Sequence, residues 1–214
     1  YRDACEYSVG HSVSTTATIL DGQCRTVKTC WIPDAEVERV APAEIDGVEL
    51  RMEVLALLKD GDDAKAQLGR FVTHYRDWIE QQKLGVRDLG LGDRKQQVVD
   101  ELMKRAGIAA DRIEAGIALL GEPDCLEAFC LANKVMATQG RRRLARQWNK
   151  PPEEIVPEWR AFQLAFILMN LKGIAAPDDA DREVVDLLFF PTGGGKTEAY
   201  LGLAAFTLVL RRLR

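Results

Sequence analysis

The run Val184-Val185-Asp186-Leu187-Leu188-Phe189-Phe190, followed by Pro191-Thr192-Gly193-Gly194-Gly195-Lys196-Thr197 and then Glu198-Ala199-Tyr200-Leu201-Gly202-Leu203, decides how the fold is read. Its first seven residues are mainly apolar and rich in β-branched and aromatic side chains. They predict a strand buried on both faces, interrupted by Asp186. The apolar run after Thr197 predicts a helix beginning where Lys196 and Thr197 stand. Strand, glycine loop and helix in that order form the context of a phosphate-binding loop. Successive glycines let backbone N–H groups converge on an anion, and a helix N-terminus adds partial positive charge. Lys196 can place a full charge between β- and γ-phosphates, and the Thr197 hydroxyl is a hard ligand suited to Mg²⁺. The expected site is therefore Thr192, Gly193, Gly194, Gly195, Lys196 and Thr197, with Lys196 as catalytic cation and ATP with Mg²⁺ as cofactors. The plainer alternative is a glycine-rich turn in which Lys196 is a solvated charge and Thr197 an N-cap.

Upstream, Trp159-Arg160-Ala161-Phe162-Gln163 opens a helix whose apolar face is Trp159, Phe162, Phe166 and Met169, ending near Gly173. Arg160 and Gln163, three apart, share a face. Read by residue type alone, Gln163 is an ordinary polar helix residue. Asp178, Asp179 and Asp181 suggest an inserted loop between this helix and the glycine loop. Further back, Arg141, Arg142, Arg143 and Arg146 cluster near Trp148. They can grip a DNA backbone, or be a solvated helix end favourable to the dipole.

The 214 residues carry 29 Lys plus Arg against 33 Asp plus Glu, a net charge of −4, so any nucleic-acid contact must be local. The apolar stretch 199–210 is too short to cross a bilayer and no signal segment opens the chain, so a cytoplasmic location with no membrane contact is expected. Cys5, Cys24, Cys30, Cys125 and Cys130 form no C-x-x-C pair and are expected to be reduced thiols, and neither His11 nor His74 has metal-ligand spacing.

Residues 1–58 read as a β-rich region in which Asp21-Gly22 turns a hairpin. Residues 45–58 suggest a strand passing into a helix. Residues 59–140 read as a helical accessory domain. Its first helix buries Leu68, Phe71, Val72, Tyr75, Trp78 and Ile79 as one aromatic face, with Asp62 or Asp63 as N-cap and Gly85 as stop. Separate helices follow at 93–107, 111–120 and 123–140. Residues 141–157 read as a basic, proline-containing linker and 158–214 as a further domain. The chain starts at Tyr1 and stops after one strand–loop–helix unit, so it is expected to be a piece of a larger protein.

Pro191-Thr192-Gly193-Gly194-Gly195-Lys196-Thr197 has Phe190 where the strict P-loop pattern has glycine, and in this form it resembles motif I of superfamily 2 helicases and translocases. Arg160 and Gln163 resemble the Q-motif of those enzymes, in which the glutamine reads adenine. The two stretches 159–171 and 189–203, with Tyr7-Ser8-Val9-Gly10-His11, together resemble the DrmA family, the helicase-like component of bacterial DISARM anti-phage systems. That resemblance implies an α/β fold for the C-terminal part, the truncated start of a RecA-like P-loop NTPase domain. It also implies an ATP-dependent motor on DNA and a DrmB-like partner. With no acidic motif after motif I and no second RecA-like domain, the chain alone is expected to hydrolyse ATP negligibly. The rival reading is a docking scaffold that binds nucleotide without moving.

Overall fold

A computed structural model of the chain describes residues 6–31, 41, 43, 45–87, 89–190 and 193–214. Contacts divide it into two units, Tyr1–Val40 and Ala41–Arg214. The first holds a hairpin of β1 (Ser14–Leu20) and β2 (Gln23–Cys30), antiparallel, with one register shift at Thr18/Ile19. Asp21 and Gly22 take φ of 52° and 72°. Two consecutive left-handed residues make the turn whose twist matches the strands, which is what the Asp-Gly pair predicts.

The second unit is built from helices. A short α1 (Met52–Leu55) precedes three long ones, α2 (Gly61–Arg87), α3 (Asp93–Leu119) and α4 (Pro123–Trp148). Then come α5 (Ala161–Ala175) and α6 (Lys196–Leu213). Helix α2 is capped by Asp60, not Asp62 or Asp63: Asp60 accepts from the Asp63 N–H at 2.8 Å. It also runs through Gly85 to Arg87, and Trp78, expected in its buried face, is exposed and stacks on Tyr75 instead. The two helices expected at 93–107 and 111–120 are one, α3. An interior glycine costs about 1 kcal/mol, and the packing of Ile113 and Ile117, both buried, outweighs it. Helix α4 likewise continues past Gly140, which is buried beneath Pro157.

Helix α5 lies at the centre. It packs on α3 and α6, while α6 also packs on α4, α3 on α2, and α1 on α4. Leu164, Ile167, Leu168 and Leu171 of α5 join Ile113, Phe129, Met136, Trp159 and Phe206 in one core. The closest approach is at Gly116 of α3, where an added Cβ would lie 1.9 Å from the Leu168 carbonyl oxygen. Gly202 of α6 makes the corresponding approach, with Trp159 and Ile167 at 2.7 and 2.9 Å from a built Cβ. Trp159 is fixed from its other side by its indole N–H, which donates to Asn133 Oδ1 at 2.7 Å within the core.

The expected α/β architecture is overturned. Helix accounts for 64% of the described residues, and the hairpin is the only sheet among them, so the unit is a helical assembly rather than the start of a RecA-like domain. Residues 184–190 are extended but unpaired, because a strand exists only beside a neighbour that takes its backbone hydrogen bonds, and no other strand among the described residues offers them. Nor is the segment buried on both faces: Val185, Leu187 and Phe189 are 94%, 88% and 87% exposed. Among the described residues, no helix is long and apolar enough to cross a membrane. Cys24, Cys30, Cys125 and Cys130 are free thiols, and Cys5 lies outside the described residues.

Replacing Gly116 by Val should lower unfolding free energy by about 3 kcal/mol or more, because backbone blocks the new side chain. Gly85→Ala, in an exposed helical position with open space around it, should raise it by about 0.5–1 kcal/mol. Urea denaturation followed by circular dichroism measures both, and a neutral Gly116→Val would mean that α3 and α5 do not touch there.

Candidate nucleotide-binding site

The glycine loop enters α6 through two left-handed residues, Gly193 at φ 81° and Gly195 at φ 87°. At Gly195 a side chain is also excluded by space, since a Cβ would lie 2.6 Å from Gln163 Nε2. Lys196 is the first residue of α6, Thr197 beside it is exposed, and Gly194 is buried. Thr192 lies outside the described residues.

The start of α5 holds this loop from beneath. Arg160 Nη1 donates to the Gly194 carbonyl at 2.6 Å, and Gln163 Nε2 donates to the Gly195 carbonyl at 2.7 Å. Gln163 Oε1 in turn accepts from the Arg160 N–H at 2.7 Å, as a third helical residue does when it caps its own helix. A trans peptide unit points its C=O and N–H in opposite directions. Anchoring the Gly194 and Gly195 carbonyls on α5 therefore aims the N–H groups of Gly195 and Lys196 away from it. Phe162 stacks on Phe190 with centroids 4.1 Å apart, and Lys196 Nζ donates to the Phe190 carbonyl. Phe166 meets Tyr200 edge-on at 5.5 Å, joining the next turns of α5 and α6.

Above the loop opens a cleft of 910 Å³, walled by Gln139, Arg143 and Gln147 of α4 and by Arg160, Lys196 and Thr197. Arg143 and Glu198 form an ion pair of 2.5 Å across it, placing Glu198 in the first turn of α6 with a cation to face. Two of the four expected DNA-contacting arginines are thus engaged within the chain. Arg143 pairs with Glu198, and Arg141 binds Glu53 and donates to the Ile155 carbonyl at 3.2 Å. Arg142 and Arg146 stand exposed on α4. Among the described residues no cluster of three His, Cys, Asp or Glu could hold a metal ion.

One supporting residue escapes sequence reading. Arg112 of α3 donates to both carboxylate oxygens of Asp186 at 2.7 and 2.8 Å, and to Asp181 at 3.0 Å. The group is largely buried, and the hydrogen bonds to Asp186 hold the guanidinium above its ordinary pKa. Asp186, the lone interruption in an apolar run, is the tether of the segment that leads into the loop. The signal was present as a carboxylate out of place, but its partner lies 74 residues away.

At this candidate site a left-handed glycine loop stands at the head of an apolar helix, with its carbonyls tied back and the N–H groups of Gly195 and Lys196 turned away from α5. The chain is similar to the DISARM protein DrmA of Bacillus paralicheniformis, 36% identical over 87% of this chain. It spans 18% of the length of that protein. The likeness runs through most of the chain, and the chain is DrmA-like in sequence. No family model and no solved structure matches it.

Arg112→Ala should leave α2 to α4 protected while amide hydrogen exchange across 184–195 speeds up, with a loss of about 1–3 kcal/mol from an ion pair that is only partly solvent-screened. Unchanged exchange in that segment would show that Arg112 does not tether it.

Proposed function

We propose that Arg160, Gln163 and residues 192–197 bind ATP with Mg²⁺, and that the chain is part of a DrmA-like protein using ATP to move on DNA in anti-phage defence. The observation that carries the nucleotide reading is the double anchoring of the Gly194 and Gly195 carbonyls by Arg160 and Gln163. It presents the N–H groups of the loop ready to meet phosphate oxygens, so little reorganisation opposes binding. The name of the relative, a DISARM protein, supports the defence setting.

In this reading each residue has a physical task. Gly193 and Gly195 permit the turn, and the α6 N-terminus supplies partial positive charge. Lys196 provides the charge for the β- and γ-phosphates and is the catalytic residue, while the Thr197 hydroxyl ligates Mg²⁺. ATP, when bound, supplies the phosphoanhydride whose hydrolysis drives the cycle. Gln163 contributes by holding the loop. Reading an adenine edge would require its amide to release both the Arg160 N–H and the Gly195 carbonyl, so base recognition and loop release are linked. Action on DNA alongside a DrmB-like partner belongs to the same proposal.

ATP hydrolysis by the full-length protein should rise with added DNA and fall about 100-fold or more in Lys196→Ala, as for loss of a preorganised donor to transferring phosphate. Hydrolysis that is intact in Lys196→Ala would remove the loop from the reaction. Nucleotide binding without DNA stimulation would favour the docking-scaffold reading.

A further inference from the structure

The outer face of α4 carries Lys134, Thr138, Arg142 and Arg146, all exposed and four residues apart. That spacing sets them in one stripe, with about 6 Å between successive members. From 128 to 150 the chain has six cations, Lys134, Arg141, Arg142, Arg143, Arg146 and Lys150, and no carboxylate, although its net charge is −4. The structure sorts these cations. Arg141 and Arg143 are bound by Glu53 and Glu198, whereas Lys134, Arg142 and Arg146 form no ion pair among the described residues. The helix dipole favours cations only in the last turn, which accounts for Arg146 but not for Lys134 or Arg142.

We propose that this stripe binds the phosphodiester backbone of a nucleic acid strand. Lys134, Arg142 and Arg146 are the phosphate contacts. Repulsion among unneutralised cations on one helix face is relieved by a polyanion, and the 6 Å step is roughly twice the 3.4 Å axial spacing of phosphates along a strand. Gln139, Arg143 and Gln147 border both this stripe and the cleft above the glycine loop. The bound strand therefore runs beside the nucleotide cleft, with Arg143 between the two. The inference deepens the motor reading and rests on it only in taking the polyanion to be nucleic acid.

The test is anisotropy of a labelled single-stranded oligonucleotide and of a labelled duplex with the full-length protein, without nucleotide, across a KCl titration. Arg142→Gln/Arg146→Gln should weaken binding of at least one of the two by about tenfold or more at low salt. For that ligand the slope of log K against log salt should flatten by about 1.4 for the single strand or 1.8 for the duplex. Arg211→Gln/Arg212→Gln, which removes the same charge from exposed positions ending α6, should leave both nearly unchanged. Unaltered affinity and slope in the stripe variant overturns the proposal, as does an equal loss in the α6 variant or no binding by the wild type. Because nucleotide is absent, failure of ATP binding leaves this outcome readable.

Discussion

Helix α5 has almost no polar side, and covering it is the constraint from which the second unit follows. Leu164, Phe166, Ile167 and Leu168, all buried, point in several directions around its axis, so one neighbouring helix cannot bury them all. Helix α3 covers one flank through the Gly116–Leu168 contact, and α6 covers another through Gly202 against Trp159 and Ile167. Gly116 lets backbone approach backbone and Gly202 makes room for the Trp159 and Ile167 side chains, and the area buried grows accordingly. The same packing fixes the first turn of α5 under the first turn of α6. The glycine loop must then cross the space between them, where Arg160 and Gln163 meet its carbonyls.

Much of the local structure was legible in the residues. Asp21-Gly22 specified the hairpin turn, Pro123 the start of α4, and the spacing of Leu68, Phe71, Val72 and Ile79 the buried face of α2. Element ends were less legible, because Gly85, Gly107 and Gly140 read as stops yet sit inside helices whose packing outweighs an intrinsic cost of about 1 kcal/mol each. The sheet was misjudged for a different reason. Residues 184–190 have strand composition, but pairing is a relation between segments, and composition says nothing about whether a partner lies alongside.

The candidate site shows the same division. Gly193, Gly195, Lys196 and Thr197 were readable because local conformation and residue type coincide there. The carbonyl ties to Arg160 and Gln163 were half readable: the two residues stood out, but as contacts to a base rather than to Gly194 and Gly195. Arg112 was unreadable, since its role depends on Asp181 and Asp186 lying far along the chain. Likewise, nothing in the sequence separated Arg141 and Arg143 from Arg142 and Arg146. Only the positions of Glu53 and Glu198 do that.

The extended stretch 184–190 has a bearing on handling the protein. Its outward row, Val185, Leu187 and Phe189, is a short β-prone window whose one charge, Asp186, is drawn inward by Arg112. Such a window with open backbone is an adhesive edge for a second chain. In a natural edge strand a charge facing outward acts as gatekeeper against such pairing. Here that charge is committed to the tether, so the stretch resists self-association only while something else occupies its outer side.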